Sequence, residues 1–453
     1  LTVGSTVANV AFTGNGSSVT NAVSFANDGT LTLGASGGTQ TYNAGLTTTS
    51  VGSTVTLNGT IATSNDAVVL GAVTLGSATT IDTNATDTTG DITIAAITGG
   101  SNNLTLSTGD NIANTDITAS GAISGLGNLT LADVGGTATF SANVAAAALS
   151  AANTVANITF TGGTNTFSAA STLANDGTLT FGDATGDSFT FNGGLTTSSV
   201  GGTVTLNTSI SSSDDALTFG AVTLGNNVTI DTNSTTTNRA DITIAAVTGG
   251  SNTLTLTTED NVTGSNVTAS GAISGVTTLT LASVGGTATL SADVDVTTLT
   301  VGSTVANLAF TGNGSSVTNA VSFANDGTLT LGASGGTQTY NAGLTTTSVG
   351  STVTLNGTVA TSNDAVVLGA VTLGSATTID TNASSDAGDI TVAAITGGSN
   401  NLTLSTGDNI TGADITASGA ISGLGNLILA DVGGTATFSA NVAAAALTAA
   451  STV

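Results

Sequence analysis

The chain contains no Pro, Cys, Met, Trp or His, a single Arg and no Lys, while Gly occurs 61 times. Each absence excludes something. Without Cys there is no disulfide stapling, and the usual tetrahedral zinc sets of Cys and His cannot form. Without His or Cys there is no Ser–His or Cys–His arrangement for nucleophilic catalysis. With one Arg and no Lys the chain cannot neutralise phosphates, which excludes nucleic-acid binding and makes an anionic membrane surface a poor partner. No uninterrupted run of 18 apolar residues exists, so no spanning helix is expected. The absence of Pro fits strands with hydrogen-bonded neighbours on both sides, where a missing N–H would break a ladder.

What is present is apolar and sparsely charged. Hydrophobic residues make up 39% and charged residues 6%, the reverse of the balance that keeps a chain disordered. The net charge of −26 comes from 27 acids opposed by Arg239, spread thinly enough to read as a solubilising surface. The first residue is Leu1, with no initiator Met, basic segment or signal core after it, so the sequence reads as an excised or mature segment.

Repetition decides the architecture. Residues 1–148 and 299–446 align without a gap and differ at 11 positions; 149–298 is a divergent copy with one-residue insertions near Asp183 and Arg239. Residues 447–453 begin a further copy of the second type, giving an A–B–A–(B) order with a super-repeat of 298 residues. The parent chain is expected to continue in both directions.

Inside each repeat, apolar–Thr–apolar triplets recur: Leu31-Thr32-Leu33, Val55-Thr56-Leu57, Val73-Thr74-Leu75, Ile92-Thr93-Ile94, Leu104-Thr105-Leu106 and Leu129-Thr130-Leu131. Strict alternation in short runs rich in Val, Ile and Thr marks half-buried strands. Between them lie turn clusters such as Asn27-Asp28-Gly29, Ser64-Asn65-Asp66 and Gly99-Gly100-Ser101, where Gly, Asn and Asp supply positive-φ positions. The only helix candidate, Ala145 to Ala148, is too short to nucleate. Triplets about 20 residues apart, without the Trp, Cys pair or Pro linkers of strung immunoglobulin-like modules, predict a right-handed parallel β-helix of about 20-residue coils. At about 4.8 Å per coil the segment would be a rod on the order of 100 Å long. Phe12, Phe25, Phe140, Phe160, Phe181 and Phe219 are expected in partial interior stacks, and Asn9, Asn157 and Asn307 in amide ladders.

Phrases such as Ala26-Asn27-Asp28-Gly29-Thr30-Leu31-Thr32-Leu33, Gly90-Asp91-Ile92-Thr93-Ile94 and Ile117-Thr118-Ala119-Ser120-Gly121-Ala122-Ile123 resemble the repeat regions of giant bacterial surface proteins. Filamentous-haemagglutinin-like adhesins and autotransporter passenger domains are of this kind. The resemblance implies an exported β-helix at the cell surface, acting as a stalk, spacer or matrix fibre, or alternatively as an adhesive module for glycans or neighbouring cells. Unpaired strand edges at the ends of such a segment would permit self-association into fibres.

No catalytic or cofactor set is expected. Arg239, beside Thr236, Thr237 and Asn238, is the lone base a lyase could use and reads as a drifted loop residue. Asp214-Asp215 is the closest carboxylate pair for a glycosidase, yet the first repeat has Asn65-Asp66 there, which points to a turn. Asp82, Asp231 and Asp380, Asp91, Asp241 and Asp389, and Asp110, Asp260 and Asp408 occupy matching positions where stacked carboxylates could hold Ca²⁺. The Gly-Gly-x-Gly-x-Asp calcium repeat is absent. Thr-rich stretches such as Thr47-Thr48-Thr49 and Thr297-Thr298 raise ice binding, against which the uneven coil length argues.

Overall fold

A computed structural model describes residues 1–109, 112–234, 239–259, 263–407 and 410–450. The chain divides into two compact units, Leu1–Val228 and Thr229–Val453, each a parallel β-solenoid. The boundary falls inside the second repeat.

In the first unit three strand columns alternate along the chain. Face 1 begins with Val10–Phe12 and Leu31–Leu33, face 2 includes Thr39–Tyr42 and Leu104–Ser107, and face 3 includes Val23–Phe25 and Ile117–Ala119. Each strand pairs in parallel with the strand one coil on: Val10 with Leu31, Leu31 with Val55, and Val55 with Val73. Coil length is uneven, from 18 residues between Val55 and Val73 to 26 between Ile97 and Ile123. The turns absorb the difference and the strands stay in register.

The triplets fold as expected for a surface with one buried side. Leu31 and Leu33 are fully buried while Thr32 between them is half-exposed, and the pattern repeats at Leu104-Thr105-Leu106 and Leu129-Thr130-Leu131. Each buried Leu, Ile or Val contributes about 1.5–3 kcal/mol. The alanine run is extended, within the strand Val144–Ala151, because the coil on either side supplies a ladder that a four-residue helix would lack. That strand runs straight across the junction between the first two repeats. In the second unit Val294–Phe310 crosses the next junction in the same way.

Turn chemistry follows the composition. Asn65, Asp214 and Asn363, at equivalent positions, have φ of 75°, 62° and 71°. Gly59 and Gly357 (φ 64° at each) sit at register shifts, where a Cβ on Gly59 would lie 2.4 Å from the carbonyl oxygens of Ala35 and Gly38. Ser101, Ser251 and Ser399 also adopt positive φ, a role the sequence does not advertise for serine.

The aromatic expectation holds in part. Phe140 stacks on Phe160 (ring centroids 4.9 Å apart) and Phe160 on Phe181 (6.0 Å), while Phe12 only tilts against Tyr42. Phe167, Phe189 and Phe191 join this cluster, with Phe167 stacked on Phe191 at 4.9 Å. The amide ladder does not form. Asn9, Asn157 and Asn307 each use Oδ1 to accept the backbone N–H and the hydroxyl of a Thr in the next coil: Thr30, Thr178 and Thr328. Asn9 and Asn157, equivalent residues of successive repeats, lie several coils apart and cannot stack.

The A and B repeats fill one interior space differently. In A, the Tyr42 hydroxyl donates to Gln40 Oε1 (2.8 Å), and Gln40 Nε2 donates to the carbonyls of Phe12 and Gly14. Tyr340 and Gln338 repeat the arrangement. Burial pushes both phenols well above the usual tyrosine range. In B the same positions are Phe189 and Phe191. Gln40→Leu strands the buried Tyr42 hydroxyl, while the carbonyls of Phe12 and Gly14 keep the Gly34 N–H and the Ser17 hydroxyl as donors, and is expected to cost about 1–3 kcal/mol. The B-like double variant Gln40→Phe/Tyr42→Phe should cost less than half of that. Amide hydrogen exchange over Leu31–Tyr42 checks both.

Candidate functional site

Most acids of the first repeat gather along one edge, Asp28 between faces 3 and 1 excepted. Asp66, Asp82, Asp91, Asp116 and Asp133 all lie on turns leading from face 2 to face 3. The carboxylates of Asp82, Asp91 and Asp116 accept from backbone N–H groups. Asp82 Oδ1 accepts from the N–H of Asn84 at 3.0 Å, and Asp231 and Asp380 do the same with Asn233 (2.7 Å) and Asn382 (3.0 Å). These are Asx turns, with the following Asn at φ 45°. Asp91, Asp241 and Asp389 reach across to the next coil, accepting from the N–H groups of Asp116 (2.9 Å), Asn266 (2.7 Å) and Asp414 (2.8 Å).

The chain of acceptors continues one coil further. Asp116, Asn266 and Asp414 accept from the N–H groups of Thr137, Thr287 and Thr435 at 2.7, 2.9 and 2.6 Å. Asn stands in for Asp in the middle repeat with the same geometry. The task is to accept a hydrogen bond, and charge is incidental to it. Sequence reading missed this side-chain ladder, although the Asp–Asn interchange at 116 and 266 was its visible sign.

The calcium candidates are thereby placed. Among the described residues no group of three or more His, Cys, Asp or Glu converges as metal ligands would. Asp82 and Asp133 line a common shallow depression with Asn84 and Ser107. Asp110, Asp260 and Asp408 lie outside the described residues, as do Thr236, Thr237 and Asn238. Arg239 is exposed, its guanidinium lying over Gly264, whose missing side chain leaves the room.

Asp214 and Asp215 occupy one turn, closed by the Ser212 hydroxyl donating to the Asp215 carbonyl. Thr63 and Thr361 close the equivalent turns onto Asp66 and Asp364. Burial, and then the neighbouring Asp214, push the Asp215 carboxyl up. Consecutive residues of one turn do not flank a substrate bond from two sides, as a glycosidase pair must.

The outward threonines are more regular than coil length suggests. On face 3, Thr93, Thr118, Thr139, Thr159, Thr180, Thr205 and Thr223 fall in one unbroken register. Uneven coil length therefore does not argue against ice binding, because turns take up the variation. The columns beside it are mixed. One runs Asp116, Thr137, Asn157 and the other Ser120, Ser141, Thr161, Gly182, so no extended sheet of matched hydroxyls forms. Cross-strand Thr pairs of this kind stabilise a sheet face by a few tenths of a kcal/mol each, up to about 1.

Two outcomes follow. Asp116→Asn should leave stability within about 0.5 kcal/mol of the parent, whereas Asp116→Ala should cost about 1–2 kcal/mol. Exchange of the Thr137 amide reads the difference, and chelation of divalent ions should shift neither variant relative to the parent. Asp231 is half-buried, and burial raises its carboxyl despite the Asn233 N–H pulling the other way. A raised carboxyl costs the folded state nothing at pH below both the folded and unfolded values, and its full penalty above them. Thermal midpoints should therefore show Asp231→Asn gaining on the parent as pH rises from 3 to 7.

No helix among the described residues is long and apolar enough to cross a membrane. Comparison of the chain with protein-family models, with curated proteins and with solved structures gives no significant match. The parallel β-solenoid is consistent with giant surface-repeat families, and the likeness to them rests on fold and repetition.

Proposed function

We propose that the chain is a structural, non-catalytic segment of an extracellular rod or filament, the stalk, spacer or matrix fibre of a giant repetitive bacterial surface protein. One observation carries the reading. The strands Val144–Ala151 and Val294–Phe310 run through the repeat junctions, so a junction is ordinary ladder and reach grows with each copy added. The side-chain inventory supports it too. The conspicuous polar residues, Asp91, Asp116 and Gln40 among them, are occupied in holding one coil to the next. A surface of Thr, Ser, Asn and scattered Asp with one Arg suits an inert, soluble exterior.

The test is binding and imaging on the purified segment. A spacer shows no retention on a glycan array or on cells, and fibre diffraction gives an axial spacing near 4.8 Å. Saturable binding to a defined glycan would replace this reading with the adhesive one. Beads joined by linkers, without that spacing, would remove the rod altogether.

A further inference from the structure

Val10–Phe12 and Ile158–Phe160 are equivalent strands of successive repeats, yet they lie on different faces of the first unit. From Val10 the face 1 column runs through Leu31, Val55, Val73, Ile97 and Ile123 to Val144, which is six coils. The chain then passes Leu149–Ala151 on face 2 and reaches Ile158 on face 3, in register with Ala138 and Leu179. A repeat is thus six coils and two faces, or twenty strand segments on a three-sided coil.

The second unit gives the same count independently. Val267–Ala269 and Ile415–Ala417 are equivalent strands. The column of Val267 runs through Ala288, Leu308, Leu329, Val353 and Val371 to Ile395, again six coils. Ile415 lies two faces further on, in register with Ile390 and Ala436. Twenty is not a multiple of three. The edge that carries the acids moves accordingly. Asp66 leads from face 2 to face 3, while its equivalent Asp215 leads from face 1, at Ser209–Ser211, to face 2, at Leu217.

We infer that the repeat is a one-face step: each copy presents its surface side chains a third of a turn round the coil axis from the copy before. Within each unit, a surface feature encoded once per repeat moves to the neighbouring side from one copy to the next. That display fits separate neighbours arranged around the axis, as chains in a matrix are, and cannot build a single flat contact stripe. The step is a property of the register alone; only its use for matrix neighbours rests on the rod reading.

Because the chain has no Cys, introduced thiols report without background. Register partners in adjacent coils lie about 4.8 Å apart, within the reach of a disulfide. Thr139→Cys/Thr159→Cys joins face 3 partners, and Ala145→Cys/Thr166→Cys joins face 1 partners. A repeat of whole coils would instead set Thr159 over Ala145. The first two variants should cross-link under mild oxidation in the folded chain and lose the reaction in denaturant, while Ala145→Cys/Thr159→Cys does not link. Linking of that third pair overturns the step, as does failure of both register pairs in chains whose circular dichroism matches the parent. If the links follow register but glycan binding or imaging removes the rod, the step stands and its matrix use falls.

Discussion

Every coil depends on the coil beside it for its core. Val144 and Leu149 are 1% and 0% exposed, whereas Val442 and Leu447, the same residues of the later repeat, are 42% and 66% exposed. Their local sequences agree, and what differs is whether a further coil lies over them. Burial and backbone pairing both run along the coil axis, so stability is assembled from nearest-neighbour contacts. The absence of Pro and the use of the same alternating triplet on all three faces follow from that dependence.

The constraint is strict about fit and lenient about identity. Gln40 with Tyr42 and Phe189 with Phe191 occupy equivalent interior places, one pair satisfied by hydrogen bonds and the other by ring packing. Asp116 and Asn266 accept the same backbone N–H. What is preserved is volume in the interior and an acceptor at the edge. The divergence of the middle repeat consists largely of alternative answers to these two demands.

Much of the fold was legible because triplet and turn are local signals. Leu31-Thr32-Leu33 announces its burial without reference to any other residue, and Asn65-Asp66 announces a turn. The column a strand joins is not local. It depends on how many strands precede it, and turns of uneven length hide that count, so the displacement of Ile158 from the column of Val10 has no signature in composition or spacing. The same gap explains the misplaced amide ladder at Asn9 and Asn157. The role of the aspartates was hidden for a different reason. Carboxylate chemistry suggests a cation, and only coordinates reveal that Asp91 and Asp116 already hold the amides of the next coil.

A junction buried inside a strand also bears on how such a chain changes over generations. Near-identical copies of 148 residues invite unequal recombination between their genes. Exchange between them would lose or gain a 298-residue pair of copies and rejoin a strand to its equivalent, leaving the ladder unbroken whatever the number of copies. Everything beyond the join would swing by one face. Length would then vary freely within a population, and the direction in which the distal part points would vary with it.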